Sequence, residues 1–388
     1  MEEIYFDNAA TSQPSAMVIE KMTQVLSKDY GNPSSLHLKG LEAERHIRNT
    51  SQILSSLLKV GEDEIIYTSG GTESNNLAII GIAQSYHRRG KHIITSKIEH
   101  PSVYYAMKYL EEEGFEISYL ENDSKGYIDL NQLKKEIRED TILVSIMHVN
   151  NEIGTIQPIA EIGEIIKKIN PGTVFHVDGV QSFGKLLLMP KKWNIDLLSI
   201  SAHKFHGPKG IGALYKNKKV RLKSLLYGGG QQKGLRSGTE NVPGIVGLGI
   251  AAEEIYQELD DNNRHILSLK KMLWEGLSSH IDDVYLNGPD LEDGAPNIIN
   301  ILFKNIKGEV LLHALEDKKI YVSTGSACSS NQPHLSQTLK SLGLSDEEVQ
   351  SSLRFSFSKY NTEEEVKNCI QALKDIVPIL RRFKAGGR

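Results

Sequence analysis

Cysteine is almost missing from this chain: of 388 residues, only Cys328 and Cys369 carry a thiol. Two thiols make neither a disulfide framework nor a zinc cluster. Such sparse usage fits a reducing compartment, so a cytoplasmic location and no bound metal are expected. No apolar run approaches the ~20 residues that cross a bilayer, which argues against a membrane role. The opening Met1-Glu2-Glu3-Ile4-Tyr5 has neither the basic nor the apolar region of a secretory signal. Basic stripes are missing as well, and a net charge of −4 offers no electrostatic footprint for nucleic acid. Internal repeats, low-complexity tracts and a Walker A pattern are all absent. What remains is an ordinary globular composition, 39% hydrophobic and 24% charged, on a chain longer than one core supports. Two domains are expected.

Along the chain, short apolar runs alternate with helical spacing. Ile65–Thr68, His92–Thr95, Phe115–Leu120, Ile142–Met147 and Val174–Asp178 read as strands, with helices between them. Such alternation predicts βα units around a mostly parallel sheet covered on both faces. After about Gly249 a long helical stretch from Ile250 to about His280 leads into separated strands at 284–286, 298–303 and 353–357. That change of pattern predicts a smaller α+β domain. We place residues 15–258 in the large domain, and residues 1–14 with 259–388 in the small one.

Ligands of open α/β sheets sit outside the carboxyl ends of the strands, so the loops there are where binding chemistry is expected. Ser201-Ala202-His203-Lys204 follows the apolar run Ile195–Ile200. Lys204 reads either as a surface lysine in a turn or as a desolvated amine of the kind that forms a Schiff base. Ser69-Gly70-Gly71-Thr72 opens a helix and is either a capped Gly turn or an anion cradle. Its glycines lack Rossmann spacing. In His100-Pro101 the proline suits the first helical position, making His100 an N-cap or a flat, neutral imidazole beside a ring. Asn150-Asn151 are turn formers or amide donors. Asp178 closes an apolar strand, where an acid needs a cation or a donor, and Gln181 follows it. A helix opening at Asp178 is the alternative. Together these loops bring an amine, an acid, an imidazole and phosphate-cradling hydroxyls to one rim, the set that pyridoxal phosphate asks for.

The ordered motifs Tyr5–Thr11, Gly31–Ser35, Thr68–Asn76, His148–Gly154, His176–Gln181, Ser201–Lys204, Arg236–Thr239, Gly325–Cys328 and Arg354–Ser356 run nearly end to end. On them the chain resembles the cysteine desulfurases, in the class V aminotransferase group of fold-type I pyridoxal-phosphate enzymes. The resemblance implies a large domain with a seven-stranded type of mostly parallel sheet and a small domain carrying the cysteine loop. It implies that Lys204 holds the cofactor's aldehyde and moves protons at the substrate α-carbon. Asp178 pairs with the ring nitrogen, His100 stacks on the ring, and Asn151 and Gln181 lie near its phenolic oxygen. Gly71, Thr72, Ser201 and His203 hold the phosphate, joined by Thr239 of a partner subunit. Arg354, with Asn32 and Asn151, binds the substrate L-cysteine. Cys328 takes its sulfur as a persulfide and leaves alanine.

The Gly-Ser-Ala-Cys form resembles the branch with a long cysteine loop. A homodimer is implied, and a sulfur-acceptor or iron–sulfur scaffold protein as partner. The uses of the sulfur are iron–sulfur clusters, thiolated tRNA or cofactor synthesis. The rival readings are a selenocysteine lyase, another class V aminotransferase, and a non-catalytic sulfur-relay scaffold.

Overall fold

The computed structural model describes residues 3–324 and 335–385. Cys328 lies outside the described residues. The chain opens with β1 (Ile4–Tyr5), α1 (Ala16–Ser27) and α2 (Leu38–Leu58). Alternation then begins: β2 (Ile65–Thr68), α3 (Gly71–Tyr86), β3 (His92–Ser96), α4 (Pro101–Glu112) and β4 (Glu116–Leu120). It continues with α5 (Leu130–Glu136), β5 (Thr141–Met147), α6 (Ile159–Ile169), β6 (Val174–Asp178), β7 (Leu197–Ser201) and β8 (Gly212–Lys216).

These strands form one seven-stranded sheet in the order β2-β8-β7-β6-β5-β3-β4. Only β8 opposes its neighbours, pairing antiparallel with both β2 and β7. The alternating pleat loads both faces of the sheet. Phe175, Val177, Leu198, Ile200, Ala213 and Tyr215 enter one apolar cluster, shared with Leu54 of α2 and Ile162 of α6. Val174, Leu197 and Leu214 enter the cluster on the other face, with Leu77 and Ile82 of α3 and Val103 of α4. Strands buried on both faces read as near-continuous apolar runs, which is why they were visible in the sequence.

The expected single helix from 250 to 280 is two helices, α7 (Val242–Gln257) and α8 (Leu259–Ser278), broken at Glu258 with φ −120° and ψ 21°. The first begins earlier than its spacing suggested, because Pro243 sits in its first turn behind the Asn241 N-cap. No helix opens at Asp178 either: residues 179–184 form turns, and the Asp178 carboxylate accepts the Val180 N–H within its own loop.

The remainder comprises β9 (Val284–Asn287), β10 (Ile298–Phe303), α9 (Gly308–Glu316), β11 (Ile320–Tyr321), α10 (Gln337–Ser341), α11 (Asp346–Gln350), β12 (Ser352–Ser356) and α12 (Glu363–Ala385). β12, β10 and β9 form a three-stranded antiparallel sheet. Its apolar cluster joins Leu269, Leu273, Phe303, Leu311, Phe355 and Leu373 to Ile4 and Phe6 from the opposite end of the chain. β1 pairs in parallel with β11, and the Phe6 ring lies 4.9 Å from that of Phe357. The first residues are thus part of the second core.

Phe6 is fully buried there, so truncating it leaves a cavity. Phe6→Ala is expected to cost about 3–5 kcal/mol of unfolding free energy, read by urea denaturation. A loss below about 1 kcal/mol contradicts its place in this core.

Candidate active site

Five parallel strands deliver their carboxyl ends to one edge, at Thr68, Ser96, Met147, Asp178 and Ser201. Register fixes the lateral spacing: Asp178 stands opposite Met147 and Ser199, while Thr68 and Ser201 both stand opposite Gly212. The loops that follow enclose a cavity of about 300 Å³ lined by Gly71, Thr72, His100, Asn151, Asp178, Gln181, Ser201, His203, Lys204 and Arg354. Ten of the residues singled out in the sequence therefore meet in one place. Asn32 and Thr239 do not line it; both are exposed, and the Asn32 side chain accepts from the Ser34 N–H at 2.9 Å. A larger cavity of about 550 Å³ lies at the opposite edge, lined by Arg89, Lys167, Lys191 and Lys218. Its cations serve structure: Arg89 donates to the Gly172 carbonyl, and Lys167 and Lys191 are paired with Asp196 and Glu64.

Each polar group of the site has a local cause. His100 is the N-cap of α4, with Pro101 behind it; its Nδ1 accepts from the Ser102 N–H at 3.1 Å. Burial holds this imidazole below its usual range, the Lys204 charge adds to that, and Asp178 opposes it. Asp178 is 4% exposed, and its two oxygens accept from the Val180 N–H at 3.0 Å and from Asn75 Nδ2 at 2.8 Å. Lys204 ends the short turn Ala202–Lys204, and its Nζ donates to the carbonyl oxygens of Ala9 and Ala10, each at 2.7 Å. Burial and nearby lysine charges pull His203 down to about 4. Arg354, 4% exposed on β12, donates from Nη2 to Asp7 Oδ1 at 2.7 Å and from Nη1 to the Asn151 carbonyl at 2.8 Å.

The residues present fit pyridoxal phosphate. A second cavity of about 360 Å³ is lined by Ser69, Gly70, Gly71, Thr72, Ser201 and His203 at the start of α3. The N-cap Gly70 offers no side-chain bond to the helix, so the first N–H groups of α3 face an anion undisturbed. Gly70 has φ +152°, and a Cβ on Gly71 would lie 2.7 Å from Val180 Cγ2, so only glycine keeps this cradle open. Asp178 retains acceptor capacity suited to a protonated ring nitrogen. Gln181 Oε1 and Asn75 Oδ1 are buried without a partner at the cavity wall, as expected where a polar ligand completes the site.

Three contributors were not assigned from the sequence. Asn75 orients Asp178, Asp7 orients Arg354, and Glu99 lies behind both His100 and Met147. Asn75 was findable, since it is a polar residue on the buried face of α3 beside Leu77 and Ala78. Asp7 was not, because its partner is 347 residues away. Glu99 accepts from Ser96 Oγ at 2.6 Å and from the Met147 N–H at 3.0 Å; burial lifts its carboxyl to about 8.

The family description "Aminotransferase class-V" matches residues 4–369. A protein named cysteine desulfurase IscS from Salmonella paratyphi C is 46% identical over 99% of this chain and 96% of its own length. A solved structure titled NIFS-like protein superposes with a TM-score of 0.92 at 40% identity, covering 98% of this chain and all of that one. SspA, solved in complex with cysteine, gives a TM-score of 0.81 at 35% identity over 92% of this chain and all of its own.

Because the folded pKa of Glu99 lies near 8 rather than 4.5, the folded state holds a proton there that the unfolded chain releases. Its contribution to stability is full below about pH 4.5 and is lost as pH rises toward 8. Across that window Glu99→Gln is expected to gain stability relative to wild type as pH rises, read by urea unfolding of the cofactor-free proteins. Parallel pH profiles contradict the neutral carboxyl.

Proposed function

The chain belongs to the class V aminotransferase family, and from that premise we propose that it works as a cysteine desulfurase whose sulfur leaves on Cys328. It is a pyridoxal-phosphate enzyme that takes L-cysteine to L-alanine. The observation that carries the residue assignment is the convergence of Lys204, Asp178, His100 and Arg354 on one cavity at the strand ends. When bound, the cofactor supplies an aldehyde for amines and a ring that withdraws electrons from the substrate α-carbon.

The chain's own groups do the rest. Gly71, Thr72, Ser201 and His203 would hold the phosphate, and Asp178, steadied by Asn75, would keep a proton on the ring nitrogen. His100 lines the cavity where it would stack on the ring and, kept neutral by burial, is able to accept the proton of the substrate thiol. Asn151 and Gln181 line the same cavity and would face the phenolic oxygen. Arg354, with Asn151, would receive the substrate carboxylate, and Asn32 lies outside this cavity; the Arg354 Nε is buried without a partner among the described residues. Lys204, released from the Ala9 and Ala10 carbonyls, moves a proton at the α-carbon.

Cys328 then attacks as a thiolate. A sulfur–sulfur bond forms while the carbon–sulfur bond of the substrate breaks, and the carbon keeps the electron pair and takes a proton, leaving alanine. An external thiol reduces the persulfide and releases sulfide. Support for this reach comes from the described residues on either side of 325–334. Ser323 pairs with Arg354 through two backbone bonds of 3.1 and 2.7 Å, and Ser336 Oγ donates to Glu152 Oε2 at 2.6 Å. Cys369, the other thiol, is fully buried in α12, and burial pushes it upward, which makes it inert.

A homodimer completes the reading. Tyr30, Leu36, Leu38 and Leu41 are exposed around the start of α2, an apolar surface suited to a second copy. Thr239 would reach the partner's phosphate site across it. A sulfur-acceptor protein, of the kind that builds iron–sulfur clusters or supplies tRNA thiolation, takes the persulfide in the cytoplasm.

With L-cysteine and a reductant, Cys328→Ser is expected to lose at least about a hundredfold in sulfide and alanine release while retaining the visible cofactor band. Undiminished turnover would sink the persulfide route. Arg354→Lys is expected to raise KM for cysteine by about tenfold or more, since a point charge replaces a fork. An unchanged KM removes Arg354 from the carboxylate site.

A further inference from the structure

Behind the cofactor lysine lies a second amine that the reaction above does not use. Lys185 Nζ donates to the main-chain carbonyl of Lys204 itself. The loop that carries Lys185 is fastened to the two helices joining the domains. Asn263 of α8 donates to the Lys185 carbonyl at 2.7 Å. Tyr256 of α7 accepts from the Gly184 N–H at 3.3 Å and donates to the Leu186 carbonyl at 3.1 Å. Gly184 needs its φ of +78°, and a Cβ there would lie 2.8 Å from Phe205 Cβ, so the loop packs directly on the residue after Lys204.

The amine sits beside a small chamber of about 20 Å³, room for one water, lined among others by Lys204, His206, Asn262, Asn297 and Lys359. The chamber lining holds no carboxylate, and Lys359 is itself near Glu258 at 3.6 Å. Both polar atoms of the Asn297 side chain are buried without a partner. Burial and the Lys204 charge pull the Lys185 amine down to about 7. A loop lysine has no need of a half-buried amine aimed at one carbonyl, with no carboxylate among the described residues that line its chamber. Retaining it there costs stability unless the contact serves the site.

We propose that Lys185 is a positioning residue: it fixes the main chain of Lys204 and ties the cofactor lysine to the helix on which the small domain is hung. The proposal rests on the reading of Lys204 as the cofactor lysine. The carbonyl it holds belongs to the turn Ala202–Lys204, so a shift of the turn moves the Lys204 amine relative to Asp178 and the phosphate cradle. Lys185 also places a second cation near that amine, which disfavours positive charge on Lys204.

The test is a pH titration of the visible cofactor band in the loaded enzyme, with kcat, KM and unfolding temperature measured alongside. Lys185→Met is expected to bind cofactor and shift the titration midpoint upward by about half a unit or more. Its kcat is expected to fall by about tenfold with KM for cysteine changed much less. Lys185→Arg, which keeps a charged donor, brings the midpoint back toward wild type. If Lys185→Met fails to fold, Asn263→Ala cuts the tie to α8 and is expected to move the midpoint in the same direction. A wild-type midpoint and kcat in Lys185→Met overturn the proposal, as does an unmoved midpoint in Asn263→Ala. A lowered unfolding temperature with an unmoved band also overturns it, because that is a purely structural role. Wild-type enzyme with no visible band would instead refute the cofactor reading on which the proposal stands.

Discussion

The N-terminal segment is the tie on which the rest of this molecule depends. Within seven residues it supplies Ile4 and Phe6 to the second core, Asp7 to Arg354, and the Ala9 and Ala10 carbonyls to the Lys204 amine. Ser12 closes the arrangement, donating to the His203 carbonyl at 2.9 Å and accepting from the His206 N–H at 2.7 Å. A segment whose side chains belong to one core and whose backbone oxygens belong to the active site makes the two inseparable. Arg354 and Lys204, which lie 150 positions apart in sequence, are held by residues almost adjacent to one another. The Asp7–Arg354 pair, at 2.7 Å and with the arginine 5% exposed, is a contact that removing either partner would leave badly uncompensated.

Around that tie the site controls charge by burial. Imidazoles at 100 and 203 are held neutral, the carboxyl of Glu99 is held protonated, and Lys185 is brought toward neutrality. Asp178 accepts hydrogen bonds from two donors, Asn75 Nδ2 and the Val180 N–H. A pocket so arranged presents one hydrogen-bonded acid at its floor, an amine at its side and open N–H groups at its rim. These are the three demands of a phosphorylated pyridine aldehyde.

Much of this was legible in the sequence, for physical reasons that differ by element. Strands buried on both faces write themselves as apolar runs, so β5 and β6 were found nearly residue for residue. His100-Pro101 announced its own cap. The long helix was misread because Glu258 breaks it without a glycine or proline to mark the place. The turn after Asp178 was open between helix and loop, since an aspartate caps a helix and starts an Asx turn equally well. Asp7, Glu99 and Lys185 carried no local signal at all. Their meaning lies in contacts across the chain, and only the fold supplies those.

The account turns on one thiol, separated in sequence from every pocket residue except Arg354 by more than a hundred positions. The most direct measurement is mass spectrometry of peptides from the loaded enzyme after a brief pulse of L-cysteine without reductant. One added sulfur atom on the peptide containing Cys328, removed by a thiol and absent from the peptide containing Cys369, is the predicted result. Sulfide and alanine released with no sulfur on Cys328, or with sulfur on Cys369 instead, would contradict it.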